Sequence, residues 1–198
     1  MKEKHEWEQR YEKEELPWDS GRPASCLTEL IGAWPKFDGK ALEVGCGTGT
    51  NSVWLAGQGL HVTGMDIAAG AVRLARQRAA ENGVECRFIE SDFLNDPLED
   101  SAFAFLFDRG CFHGMDEERR ALFARRAAAC LERGGLWFSL IGNADQPAHG
   151  DGPPRLSAGQ ICAAVEPFFE ILRLESFLLD SKRPAPPRFW QCLMRVRK

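Results

Sequence analysis

The residues with the clearest chemical potential lie in Glu43-Val44-Gly45-Cys46-Gly47-Thr48-Gly49-Thr50, where an apolar burst ends and an amphipathic stretch begins. Glycines at 45, 47 and 49 let the backbone turn tightly and approach a ligand, and the start of the following helix presents unpaired N–H groups. The spacing is GxGxG, and position 50 is Thr where GxGxxG requires glycine; this disfavours a nicotinamide oxidoreductase. Asp66 follows 17 residues after Gly49, at the end of the next predicted strand. A carboxylate there can accept both hydroxyls of a ribose. At the third strand end, Ser91-Asp92-Phe93 offers Asp92 for an adenine amino group and Phe93 to cover the ring. Successive strand ends then read an amino-acid tail, a ribose and an adenine, with no pyrophosphate site. The alternative is that Asp66 and Asp92 only cap helices.

Such residues need a scaffold that presents strand ends, and the pattern from Ala41 onward supplies one. Strands are predicted near 41–45, 61–66, 86–92, 102–108 and 136–142. Helices are predicted near 51–58, 69–81 and 116–132, ending close to Gly59, Gly83 and Gly134 as left-handed caps. This alternation implies crossover connections and a mainly parallel sheet covered on both faces. Ser157 and Gln160 have capping-box spacing, so a helix runs from there toward Val165 and is limited by Pro167. Two apolar runs, 170–179 and 189–196, are separated by a proline-rich gap too short for a helix and must pair antiparallel. The fold class is α/β, a Rossmann-like three-layer sandwich with a seven-stranded, mostly parallel sheet and a C-terminal antiparallel pair. Before the core lie a charged helix near 2–16, the turn Pro17-Trp18-Asp19-Ser20-Gly21-Arg22-Pro23, and a second helix through Leu27, Leu30 and Ile31. The reading is one domain, with 1–37 as an N-terminal extension or lid and 38–198 as the core.

Composition narrows the function classes. The chain has 198 residues, with 25 Lys plus Arg against 29 Asp plus Glu, a net charge of −4. That balance argues against a phosphate-backbone partner such as nucleic acid. The first fifteen residues lack the apolar core of a secretory signal. No stretch is apolar enough to span a bilayer, so no membrane partner is expected. Seven cysteines without a CxxC pair suggest neither a disulfide framework nor a metal site, and fit a reducing cytoplasm. Oligomeric state is open.

Over about residues 38–198 the sequence resembles the class I S-adenosylmethionine-dependent methyltransferases. The matching features are EVGCGTGT, the strand-end acid in GMDI, the SDF triplet and the closing antiparallel strands. The resemblance implies S-adenosyl-L-methionine as cofactor, with Gly45, Gly47 and Gly49 against its methionine and ribose parts, Asp66 on the ribose and Asp92 facing adenine. Glu43 organises the loop, while Cys46, Ile67 and Asp108 fall in the same cofactor pocket. Within the family, the Pro17 to Pro23 turn is similar to that of the thiol and halide methyltransferases. Asp108-Arg109-Gly110 and Gly152-Pro153-Pro154 resemble the thiopurine methyltransferase group. Three features depart from those relatives: a short N-terminal helix, Cys46 inside the loop, and Arg155 after the prolines.

Methyl transfer from a sulfonium is an in-line displacement with a neutral leaving group, so alignment and exclusion of water matter more than a covalent nucleophile. A thiol or other soft anion acceptor needs a nearby cation, and Arg109 is placed for that; alternatively it forms a surface ion pair. His113 either moves a proton for a nitrogen or oxygen acceptor or only bonds within its loop. Cys46 and Cys111 read as small buried hydrophobes rather than reactive thiols. Trp7 and Tyr11 share a helix face, and with Trp18 they close over the cofactor, dock the first helix, or do both. The loop 143–157 reads as substrate-facing, and Phe112, Arg155 and Trp190 are further candidates to line the pocket. Arg119, Arg120, Arg125, Arg126 and Arg133 read as a solvated helix face. The expected activity is methylation of a small molecule, with a small-molecule N- or O-methyltransferase or a non-catalytic cofactor-binding protein as alternatives.

Overall fold

The computed structural model describes residues 3–13, 16–34, 39–146, 154–180 and 185–197. The backbone divides into two compact units, residues 2–96 and 97–198.

The first unit contains α1 (Lys4–Glu12), α2 (Ser25–Gly32), β1 (Lys40–Val44), α3 (Thr50–Gly57), β2 (His61–Asp66), α4 (Ala69–Asn82) and β3 (Cys86–Glu90). Its strands run in the order β3-β2-β1, all parallel, with Val44 opposite Met65 and Asp66 opposite Glu90. Gly83 caps α4 in the left-handed conformation as expected. Helix α4 packs on β3 and α1 packs on α4. Between α4 and the sheet lies a small apolar cluster of Cys46, Val53, Val72, Ala75, Ala79 and Phe88. Gly49 is required here: its φ is +78°, and a Cβ would come within 2.9 Å of the Ala75 Cβ and 3.1 Å of Phe88.

The second unit contains β4 (Phe103–Arg109), a short 3-10 helix (Phe112–Gly114), α5 (Glu117–Cys130), β5 (Leu131–Gly142), α6 (Ala158–Val165), β6 (Phe169–Leu178) and β7 (Arg188–Val196). Its strand order is β4-β5-β7-β6, with β4 and β5 parallel and β7 antiparallel to both its neighbours. The two strand sets comprise seven strands, mostly parallel and closed by a C-terminal antiparallel pair, as the sequence predicts. Helix α6 opens with the reciprocal Ser157 and Gln160 capping box. Trp137, Phe112, Phe123 and Phe169 form a fully buried aromatic nucleus, so Phe112 belongs to the core and not to a pocket wall.

Two expectations are corrected. Helix α5 ends at Cys130 instead of running toward Gly134, because Leu131 pairs with Phe103 and the Ser101 and Ala102 N–H groups take the Ala129 and Cys130 carbonyls. Arg120 is not part of a solvated face: it is only 9% exposed and donates to the Met115 carbonyl. Among the described residues no helix is long and apolar enough to cross a membrane.

Candidate functional site

The glycine loop follows directly from the end of β1. Gly45, Gly47 and Gly49 all have positive φ, so the chain reverses there without side chains in its way. The loop is held from below by Glu43, which is 1% exposed and accepts from Asn51 Nδ2 at 2.9 Å and Ser52 Oγ at 2.5 Å. Asn51 in turn accepts the Ala24 N–H at 3.1 Å, tying α2 to the start of α3. Cys46 turns its side chain into the apolar cluster, and burial holds its thiol well above the usual range.

Asp66 stands at the exit of β2, 8% exposed. Its carboxylate accepts the Gly47 N–H at 2.9 Å and the Ala68 N–H at 3.0 Å, with a further bond from the Ile67 backbone. Burial nevertheless pushes its pKa up, since these donors only partly offset desolvation and Glu8 adds a like charge. A carboxylate offers about four acceptor positions, so with these three donors in place Asp66 keeps capacity for further donors such as ribose hydroxyls. The residues present therefore fit a nucleoside at this strand end.

Asp92 and Phe93 follow β3. The Asp92 side chain accepts the Leu94 N–H at 2.9 Å and Asn95 Nδ2 at 2.7 Å, so it caps its own turn while remaining half-buried. Phe93 is buried.

The Pro17 to Pro23 turn is fastened to the glycine loop by a network that sequence reasoning missed. Asp19 accepts from Thr48 Oγ1 at 2.6 Å, Thr50 Oγ1 at 3.1 Å and Arg78 Nη2 at 3.1 Å, and from the Gly21 N–H at 2.8 Å. Arg78 also donates through Nε to the Thr48 carbonyl at 2.9 Å. Burial pushes the Asp19 carboxyl up, but the bonds from Thr48 and Gly21 and the Arg78 charge outweigh it and hold it below the usual carboxylate range. The available signal was a threonine on each side of Gly49 together with an acid in a proline-bounded turn. Trp18, on the same turn, packs edge-on to Trp7 and Tyr11 at centroid distances of 5.6 and 6.1 Å. Its indole nitrogen lies 4.0 Å, and the Tyr11 hydroxyl 3.2 Å, from where a Cβ on Gly47 would sit.

In the second unit Asp108, Arg109 and His113 cluster around the end of β4. Asp108, expected in the cofactor pocket, is 0% exposed and accepts from Ser139 Oγ at 2.6 Å, Trp137 Nε1 at 3.2 Å and the Phe112 N–H at 3.0 Å. Those bonds brace the turn after β4. Burial pushes its pKa up to about 6. Arg109 is half-buried at the last position of β4, opposite Leu140. His113 is 2% exposed; its Nδ1 accepts the Gly142 N–H at 2.9 Å, which puts the proton of the neutral ring on Nε2. Burial lowers its pKa to about 4, against an opposing bond to the Leu140 backbone. Trp190 donates to the Leu156 carbonyl and Arg155 to the Gln146 carbonyl, while Gly152 and Pro153 lie outside the described residues. All seven cysteines are free thiols, and among the described residues no metal-ligating cluster occurs.

Comparison with known proteins places these features in context. A family model described as a methyltransferase domain matches residues 41–135. A probable thiol methyltransferase 2 of Arabidopsis thaliana is 32% identical over 151 residues, 75% of this chain and 65% of that protein. A 2-heptyl-1-hydroxyquinolin-4(1H)-one methyltransferase of Mycobacteroides abscessus is 29% identical over 157 residues, 78% of this chain and 69% of that protein. The chain thus spans about two thirds of the length of these relatives. Its fold is similar to that of a Burkholderia thailandensis 1,6-didemethyltoxoflavin-N1-methyltransferase solved with S-adenosylhomocysteine, with TM-score 0.74 and 17% identity over 100% of this chain and 92% of that one.

Proposed function

We propose that this chain is a class I S-adenosylmethionine-dependent methyltransferase that methylates a small-molecule acceptor, preferably a thiol or other soft nucleophile, a reading supported by the methyltransferase-domain match and by the likeness to a thiol methyltransferase. The observation that carries the cofactor reading is the Asp66 carboxylate, gathered with the Gly47 and Ala68 amides at the exit of β2 beside the positive-φ glycine loop. S-adenosylmethionine supplies, when bound, a sulfonium methyl whose displacement leaves a neutral thioether.

The protein's own residues then orient and enclose. Asp66 takes the ribose hydroxyls, the positive-φ loop allows close backbone approach to the methionine part, and Asp92 and Phe93 bind the adenine. Trp18 and Tyr11 cover the loop from the N-terminal side. Arg109 favours the anionic form of a thiol acceptor, a role supported by the Asp108-Arg109-Gly110 pattern and by the thiol methyltransferase relative. Residues 1–198 act as one methyltransferase domain, and the free thiols support a reducing compartment such as the cytoplasm.

A nitrogen or oxygen acceptor is the second reading, supported by the Mycobacteroides relative, whose named substrate is a hydroxyquinolinone and not a thiol. It draws less support from His113 than the sequence suggests. With Nδ1 engaged by Gly142 and the proton on Nε2, that ring has no spare lone pair to act as a base.

The test is transfer of labelled methyl from S-adenosylmethionine to a panel of thiols, halides, amines and carboxylates. Thiols are expected to be the best acceptors, and Arg109→Ala should raise the pH at which thiol turnover reaches half its maximum. Turnover confined to amines or carboxylates would reject the thiol preference. An unchanged thiol pH profile in Arg109→Ala would reject the role of Arg109.

A further inference from the structure

Helix α4 begins without a cap of its own. Its N-cap residue is Ala68, which has no side-chain acceptor, and a helix start leaves N–H groups that need partners. Two carboxylates supply them. Asp66 accepts the Ala68 N–H, and Glu8, far earlier in the chain on α1, accepts the Ala69 and Gly70 N–H groups at 2.5 and 3.1 Å. Three successive amides are therefore shared between the residue assigned to the ribose and a residue of the N-terminal helix.

Gly70 makes this approach possible. A Cβ there would lie 2.9 Å from the Tyr11 Cβ and 3.3 Å from Glu8 Oε2. Glycine within a helix is otherwise unfavourable by roughly 1 kcal/mol relative to alanine. Glu8 and Tyr11 are three residues apart and share a helix face, so the residue that grips α4 sits beside the one that reaches Gly47. Besides these bonds, α1 is tied down by the buried Tyr11 ring packed on Ala68 and Ala71, by the packing of Trp7 and Arg10 around Trp18, and by an exposed Lys4–Glu90 ion pair, none of which satisfies the α4 amides. At 9 residues α1 is too short to be stable alone, so its order depends on these contacts.

We propose that Glu8 is a positioning residue of the cofactor site: by capping α4 it holds α1, and with it Tyr11, closed over the surface formed by Gly47 and Asp66. Glu8 thereby sets how long bound S-adenosylmethionine or S-adenosylhomocysteine is retained. The proposal rests on the reading of Asp66 as the ribose residue.

The full chain tests it, with S-adenosylhomocysteine release followed by tryptophan fluorescence and α1 monitored by trypsin cleavage at Arg10 and Lys13. In Glu8→Gln the amide can accept from only one of the two N–H groups, so release should speed up about tenfold, the size of one lost charge-assisted bond. S-adenosylhomocysteine should protect α1 of the unsubstituted protein from trypsin and fail to protect it in Glu8→Gln. Gly70→Ala, which pushes Tyr11 and Glu8 away while favouring the helix, should release as fast. Glu12→Gln, on the exposed side of α1, should behave as the unsubstituted protein. Unchanged release in both Glu8→Gln and Gly70→Ala, with or without a lower melting temperature, would overturn the latch. Faster cleavage of α1 on adding S-adenosylhomocysteine would overturn it too, since α1 would then be displaced. Absence of binding to the folded, unsubstituted protein would instead reject the cofactor reading itself, and the latch with it.

Discussion

Two buried ionisable residues of the second unit, Asp108 and His113, are perturbed in opposite senses over one pH range. Asp108 holds its proton more tightly folded than unfolded, so its contribution to stability is full below the ordinary value of 3.8 and is lost as pH rises through about 6. His113 holds its proton less tightly folded. Its contribution is full above 6.5 and is lost as pH falls through about 4. Their slopes therefore oppose each other. Urea unfolding of Asp108→Asn should show stability rising between about pH 4.5 and 6.5 by about 2 kcal/mol more than in the unsubstituted protein. His113→Gln should show the reverse. Parallel pH curves for all three proteins would mean that neither group is held as described. At this scale the sequence was a good guide to residue type and a poor guide to side-chain environment. Asp66 and Glu43 stand at the strand and loop positions read from the motif, whereas the full burial of Asp108 and the Gly142 bond to His113 depend on β5, which nothing near residue 108 announces.

Among the elements, those with a local signal were legible. The β2 bounds, the Gly83 cap and the Ser157 capping box all follow from short-range chemistry. The end of α5 did not, because pairing of Leu131 with Phe103 outweighed the glycine signal at 134. The two N-terminal fastenings, Asp19 to the glycine loop and Glu8 to α4, were also hidden. Each joins residues that lie far apart in sequence, and an acid in a charged segment looks like any other. The Asp19 fastening has a measurable consequence. Asp19→Ala leaves Arg78 without its carboxylate and removes the acceptor that Thr48 and Thr50 share, so the melting temperature should fall by several degrees. S-adenosylhomocysteine affinity should weaken about tenfold by calorimetry. An Asp19→Ala protein that melts and binds unchanged would show that the turn is only decoration on the loop.

For the whole molecule, a net charge of −4 and ordinary globular composition set the class, while the order of strands and helices identified the scaffold. Acceptor choice was less legible, because it depends on loop shape and on side chains with few sequence rules. The proposed activity requires a cofactor held by the carboxylate that ends β2. Its most direct measurement is calorimetric titration of S-adenosylhomocysteine into the unsubstituted protein and into Asp66→Ala. One site per chain is expected in the first and affinity weakened at least about a hundredfold in the second, the loss expected for two bonds to a buried carboxylate. Equal affinity in the two proteins, or no binding to either while both remain folded, would contradict it.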